Sequence, residues 1–214
     1  MFEKSGKDVY LVRHGETTWN FSRKIQGQKN PPLTKLGKKQ ADAAAGYFSR
    51  LRRTDFKVFS SDLKRARETA KCFSEVLHKR ILYEKGIREI ALGDWEGMTP
   101  EEVDFHFDDG FKKWLLKPSR IVIPGAETIE EFQVRVKKAW NTLFPKLHDS
   151  NSIIVTHGGV ITALLAWWLK ADFDTLILRL VIDNGSITHV RVSATRVIVM
   201  SVNSVPHTHH FLER

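Results

Sequence analysis

Five short apolar runs punctuate the chain: "VYLV" at 9–12, "KVFSS" at 57–61, "RILYE" at 80–84, "SIIVT" at 152–156 and "RVIVMSV" at 196–202. Their length and their β-branched and aromatic content read as strands. A further run, "SITHVRV" at 186–192, alternates apolar with polar positions. A short turn separates it from the last run, which predicts a hairpin. Between the strands the apolar period changes to that of a helix. Thr34 reads as the N-cap of a helix reaching about Arg53, with Ala41, Ala45, Phe48 and Leu51 on one face. A second helix is expected from about Leu63 to His78. Thr99, Pro100 and Glu102 form a capping-box start with proline at the first helical position. Thr128 and Glu131 repeat that start for a helix ending near His148, and a last helix follows Gly159 through "VITALLAWWLK".

Strands alternating with helices predict an α/β fold with a largely parallel sheet. Residues 86–127 break the alternation with "GIREIALGDWEG", a helix and "KPSRIVIPGAET". This excursion is expected to be a substrate-side cap over the strand ends, inside a single domain of residues 1–214.

Composition narrows the class. With 214 residues, 42% hydrophobic and 28% charged, the chain fits one globular domain and neither a disordered nor a disulfide-built one. Cys72 is the sole cysteine, so no internal disulfide can form, which suits a reducing cytoplasm. The start "MFEKSGKDVY" has no apolar signal region, and "ALLAWWL" is too short to span a bilayer. These features read as a soluble cytoplasmic protein. The net charge of +9 is spread in short clusters such as "LGKKQ", "RLRRTDFK" and "DLKRARETAK". Without a long basic run or a nucleic-acid-binding motif, the charge reads as solvated surface that favours a small anion. No nucleic-acid or membrane partner is expected. The pattern leaves the oligomeric state open, a homodimer included.

Two places share a grammar that carries chemistry. "VYLVRHGE" and "SIIVTHGGV" each run apolar strand, histidine, glycine. Ligands of open α/β sheets bind beyond the carboxyl ends of the strands, so His14 and His157 sit at the correct ends of two strands. "FSSDLKRARETA" adds a strand followed by a helix whose first turn holds Lys64, Arg65 and Arg67. Cations there oppose the helix dipole. Lys64 and Arg67 read as solvated, whereas an anion between the helix start and Arg65 would reverse the penalty.

"LVRHGETTWN", "SSDLKRARETA", "REIALGDWEG" and "VTHGGV" resemble, in order, the four signature blocks of the histidine phosphatase superfamily. The resemblance spans about residues 9 to 161 and implies the phosphoglycerate mutase-like fold, a three-layer α/β/α arrangement with a mostly parallel central sheet. It implies His14 as the nucleophile that becomes a phosphohistidine. Arg13, Arg65 and His157 would surround the phosphate, with Asn20 and Gly158 adding contacts. Glu89 falls where the proton donor lies.

No metal or other cofactor is implied, because two guanidiniums and a histidine can neutralise the phosphate oxygens. Their charge would also hold a ring nitrogen of His14 unprotonated. Gly15 and Gly158 are expected to let backbone approach the phosphate, and the amides opening the helix after His157 to offer donors. Glu16 reads as a loop cap, and Glu96 and Glu127 as carboxylates near the pocket. The acid phosphatase branch carries its acid as an aspartate just after the second histidine; here that position is Gly158.

The acid block and chain length resemble the broad-specificity and α-ribazole phosphatases more than the mutases. A phosphomonoesterase acting on a small phosphorylated metabolite is therefore expected. Mutase-type phosphoryl transfer is the alternative, and a non-catalytic phospho-ligand binder a further one. Trp167, Trp168 and Cys72 read as packing. His207, His209 and His210 have no carboxylate or cysteine support as a metal site.

Overall fold

Each expected strand forms in a computed structural model that describes residues 6–51 and 55–205. They are β1 (Lys7–Arg13), β2 (Lys57–Ser60), β3 (Ile81–Tyr83), β4 (Ser152–Thr156), β5 (Ile187–Val192) and β6 (Val197–Ser204). One sheet runs in the order β3-β2-β4-β1-β5-β6. The first four strands in that order are parallel; β5 runs antiparallel to β1 and pairs with β6 as the expected hairpin.

Side chains along the parallel strands alternate between two apolar layers, as the pleat requires. Val9 and Leu11, Phe59 and Ile154 enter one layer; Tyr10 and Val12, Val58, Ile153 and Val155 enter the other. Helices cover both faces, because strands buried on both sides need two apolar coats. The helices are α1 (Thr18–Phe21), α2 (Lys35–Arg50), α3 (Lys64–Leu77), α4 (Pro100–His106), α5 (Gly110–Leu116), α6 (Ile129–Leu147), α7 (Gly158–Leu169) and α8 (Phe173–Arg179). α2 and α3 bring Ala44, Ala45, Phe48, Ala66, Ala70 and Phe73 to the second layer. α6 and α7 bring Phe132, Val136, Val160 and Leu164 to the first. The fold is thus the three-layer α/β/α arrangement. Thr34, Thr99 and Thr128 cap their helices as expected, the last two in full capping boxes.

Two differences have physical reasons. The helix opened by Thr99 stops at His106, and a second, α5, begins at Gly110. Asp108 and Asp109 between them are left-handed, with φ of 50° and 54°. That reversal lets Gly110 pack where a Cβ would come 3.0 Å from the Trp95 ring. Phe111 and Trp114 thereby join a small apolar cluster of Trp95, Val103 and Ile123 within the excursion. α1 and α8 were not anticipated, although each has a signal. Thr17 and Asn20 form a capping box, and Asp172 caps α8 ahead of Phe173, Leu176, Ile177 and Leu180. α2 ends at Arg50, while Arg53 and the histidines 207, 209 and 210 lie outside the described residues.

Trp168 packs edge-on against Trp140, and Trp167 lies under the Lys137 ammonium. Cys72 is half-buried at the rim of the core, and burial pushes its thiol up to about 12. Among the described residues no helix is long and apolar enough to cross a membrane, and no group of histidine, cysteine and carboxylate residues could hold a metal ion.

Candidate active site

Sheet register brings the two histidines together. Val12 pairs with Val155 and Arg13 with Thr156, so the residues that follow, His14 and His157, leave adjacent parallel strands side by side. The His14 N–H donates to Thr156 O at 3.0 Å, extending the ladder by one rung. Their ring centroids are 5.2 Å apart. Ser60 pairs with Val155 on the other side of β4, which sets Ser61 against His157.

His14 is buried and its tautomer is fixed from both ends. Nδ1 lies 2.8 Å from Gly15 O, and a carbonyl can only accept, so Nδ1 carries the proton. Nε2 is then a lone pair, and it accepts from Arg65 Nε–H at 3.1 Å. Burial, followed by the Arg65 and Arg13 charges, holds His14 well below the usual histidine range. The same causes, led by burial, hold His157 well below it. Ser61 Oγ accepts from the Leu63 N–H and lies 2.8 Å from His157 Nε2, while His157 Nδ1 is buried without a partner.

Arg65 is fully buried at the start of α3. Its Nη1 and Nη2 donate to Lys29 O and Gly27 O at 2.7 and 2.8 Å, which orients the guanidinium towards His14. Burial lowers it to about 10. The helix start itself is not an open anion site, because Asn30 Oδ1 accepts the Lys64 N–H at 2.8 Å. Arg67 lies over the Tyr83 ring, and Lys64 pairs with Glu68. Arg13 donates to Ile182 O and keeps Nε buried without a partner. Burial lowers Arg13 also, against the raising effect of Glu89 and Asp183.

Glu89 reaches this group from the excursion. Its carboxylate accepts from the Gly159 and Ile90 N–H groups at 3.1 and 3.0 Å. One opening amide of α7, that of Gly159, therefore holds the Glu89 carboxylate. A Cβ at Gly159 would lie 2.3 Å from Glu89 Oε1, so a side chain there would displace the carboxylate. A Cβ at Gly158 would make ordinary contacts with Arg13. Gly15 packs against α2, where a Cβ would fall 2.1 Å from Gly37 O, and its N–H is taken by Thr69. Its small size serves helix packing, a different purpose from the one expected.

Asn20 Oδ1 accepts from Thr17 and Asn184, which leaves its amide hydrogens for a ligand; it is not among the residues lining the cavity described below. Glu16 accepts from the Thr34 hydroxyl as a loop cap, and Glu96 ties residues 28 and 92 together. Sequence reading missed Arg135. Its guanidinium donates to Gly86 O, Arg88 O and Glu89 O and pairs with Glu127, clamping the loop that carries Glu89. Its place on α6, two turns after a capped start, gave no local signal of this reach.

Above His14 lies a cavity of about 290 Å³. Arg13, His14, Arg65, Glu89 and Gln26 are its polar lining, and Ile25, Leu92, Trp95, Phe111, Trp114, Phe173 and Ile177 supply much of the rest.

Known proteins resemble this chain along nearly its whole length. The profile of the histidine phosphatase superfamily (branch 1) matches residues 9–205. Phosphoserine phosphatase 1 of Hydrogenobacter thermophilus is 29% identical over 203 residues, 95% of either chain. The metal-independent phosphoserine phosphatase of Arabidopsis thaliana is 30% identical over 207 residues, covering 96% of this chain and 84% of that one. The solved structure of Bacillus stearothermophilus YhfR superposes with a TM-score of 0.87 at 28% identity, covering 94% of this chain and 98% of that one. The profile match over nearly the whole chain, with phosphatases among its relatives, shows that the chain belongs to the histidine phosphatase superfamily as a phosphatase.

Proposed function

We propose that the chain is a metal-independent phosphomonoesterase that transfers the phosphoryl group of a small phosphorylated metabolite to His14 and then to water. The observation that carries this reading is the state of His14, with Nδ1–H held by Gly15 O and the Nε2 lone pair bare of a proton. A substrate phosphate seated beside His14 draws the Arg65 and Arg13 guanidiniums onto its oxygens, and Nε2 is released from Arg65. The Arg13 Nε–H, buried without a partner, gains an acceptor in the same step, as does His157 Nδ1 in the tautomer that carries its proton there. Nε2 attacks phosphorus as the ester P–O bond breaks, and Glu89 gives its proton to the departing alkoxide. Water then attacks the phosphohistidine, Glu89 takes its proton, and Nε2 leaves as a neutral imidazole. In this reading the enzyme works in a reducing cytoplasm, which its single cysteine fits.

A screen of phosphomonoesters with excess chelator, paired with His14→Ala, tests it. Turnover should persist with chelator, acid quenching should trap an acid-labile phosphoenzyme, and the variant should lose both. Dependence on a divalent ion, or activity surviving His14→Ala, would overturn the mechanism. Interconversion of phosphoglycerates outrunning hydrolysis would make the chain a mutase.

A further inference from the structure

Beyond the phosphate end, the cavity holds little that could recognise a charged metabolite. Its two cations are Arg13 and Arg65, both beside His14 and partly committed to backbone carbonyls. Gln26 Oε1 accepts from the Thr17 hydroxyl, and both Glu89 oxygens accept backbone N–H groups. The lysines of α5 are turned to other partners: Lys112 pairs with Asp109 at 2.7 Å and Lys113 with Asp108 at 2.6 Å. Beyond Arg13 and Arg65 no lining cation remains to pair a substrate carboxylate; the Gln26 amide and the Trp95 Nε1–H offer neutral donors alone, and the Glu89 carboxylate lies at the phosphate end. Burying such a charge unpaired is costly.

What the cavity offers instead is apolar. Phe111 and Trp114 stand in a stack, ring centroids 5.8 Å apart and planes 15° from parallel. Leu92, Trp95, Phe173 and Ile177 continue the wall. The segment carrying the stack is fastened to the body of the fold. Ser119, three residues past α5, donates its N–H and hydroxyl to the buried Asp174 carboxylate at 3.0 and 2.6 Å. Asp174 belongs to α8, next to Phe173.

We infer that Phe111 and Trp114 are specificity-determining residues that select phosphomonoesters of apolar alcohols, aromatic or branched aliphatic, over phosphoserine or phosphoglycerate. Asp174 is a positioning residue that acts through them. The inference rests on the phosphatase reading and deepens it by naming the leaving group. A phenyl-sized group moved from water into this wall raises kcat/KM by roughly 10- to 100-fold.

Ethyl phosphate and 2-phenylethyl phosphate are the proper pair, because their alkoxides leave with similar ease and differ mainly in apolar area. The 2-phenylethyl ester should exceed both ethyl phosphate and phosphoserine in kcat/KM by about tenfold or more. Trp114→Ala should lower the 2-phenylethyl to ethyl ratio by about tenfold, Trp114→Leu should restore part of it, and Asp174→Ala should lower it through the loosened α5. Phosphoserine turned over as well as the 2-phenylethyl ester, or a ratio unmoved in Trp114→Ala, would overturn the inference and leave the phosphatase reading standing. Binding of 2-phenylethylphosphonate against ethylphosphonate reads the same preference without turnover. If no ester is hydrolysed, the phosphatase reading fails, while equal binding of the two phosphonates sinks the inference by itself.

Discussion

Lowering the pH by two units, from about 7.5 to about 5.5, should destabilise the fold through His14 and His157. Both are fully buried and held well below the usual histidine range, by burial first and then by neighbouring cations. In the unfolded chain each titrates near 6.5, so below that pH the unfolded state binds protons that the folded state refuses. Stability is therefore complete above about 6.5 and falls as the pH drops toward the depressed folded values. One unit below 6.5 the loss is about 1.4 kcal/mol per histidine, or about 3 kcal/mol for the pair. That is a sizeable share of the ~5–15 kcal/mol that stabilises a typical domain. Asp62, whose carboxyl Arg88 holds below its ordinary value, contributes stability that is lost only at more acid pH, outside this window.

The assay is the urea midpoint at the two pH values, in phosphate-free buffer, for the parent and His14→Gln. The variant should lose less stability on acidification than the parent by about 1.4 kcal/mol. Titratable groups elsewhere cancel in that difference. An equal loss in both proteins, or an imidazolium signal for His14 in nitrogen NMR near pH 6, would refute the electrostatic account of the site.

The acid, the glycine beside it and the arginine that clamps its loop each give a further test. Glu89→Gln should slow phosphoenzyme formation from alkyl phosphates by about 10²- to 10⁴-fold but affect the nitrophenolate burst from p-nitrophenyl phosphate far less, because nitrophenolate leaves without a proton, while steady-state turnover falls on both for want of the base. Equal losses in phosphoenzyme formation from both esters would remove Glu89 from the acid role. Gly159→Ala sets a methyl 2.3 Å from Glu89 Oε1. It should lower kcat by about tenfold or more while inhibition by inorganic phosphate changes little, and an unaltered kcat would show that the carboxylate moves without cost. Arg135→Met frees the carbonyls of residues 86, 88 and 89 and leaves Glu127 unpaired. Its kcat on alkyl phosphates should fall by about tenfold, with phosphoenzyme formation from p-nitrophenyl phosphate largely kept; a loss confined to KM would contradict the clamp.

The strands are legible because each is a short run rich in β-branched and aromatic residues, as Val9 to Val12 show without reference to the rest of the chain. Helix starts were legible where threonine caps met a glutamate three residues on. His14 and His157 could be paired by their shared strand-histidine-glycine pattern, but their contact depends on β4 inserting next to β1, which is a matter of sheet order. The carbonyl that fixes the His14 proton, Gly15 O, depends on the backbone turn after β1, and the Ser61 contact of His157 depends on register, so neither is readable from the sequence. Least legible was the cavity wall. α5 supplies Phe111 and Trp114 only because Asp108 and Asp109 reverse the chain and Gly110 nests on Trp95. Two aspartates adopting left-handed backbone in succession depend on tertiary packing that a linear pattern does not encode.

The site is split between two regions with different bonding to the rest of the molecule. The nucleophile half hangs from β1 and β4, central strands hydrogen-bonded on both sides, while the acid half sits on irregular chain held to the body by side-chain bonds such as those of Arg135. Central ladders open only with the whole domain, whereas such loops open in smaller cooperative units. Amide exchange of Val12 and Val155 should accordingly track global unfolding, and that of Ile90 and Ala91 should run ahead of it. Mild denaturant would then leave a partly disarmed enzyme that still grips phosphate and accepts it from activated esters, but releases it slowly for want of a base.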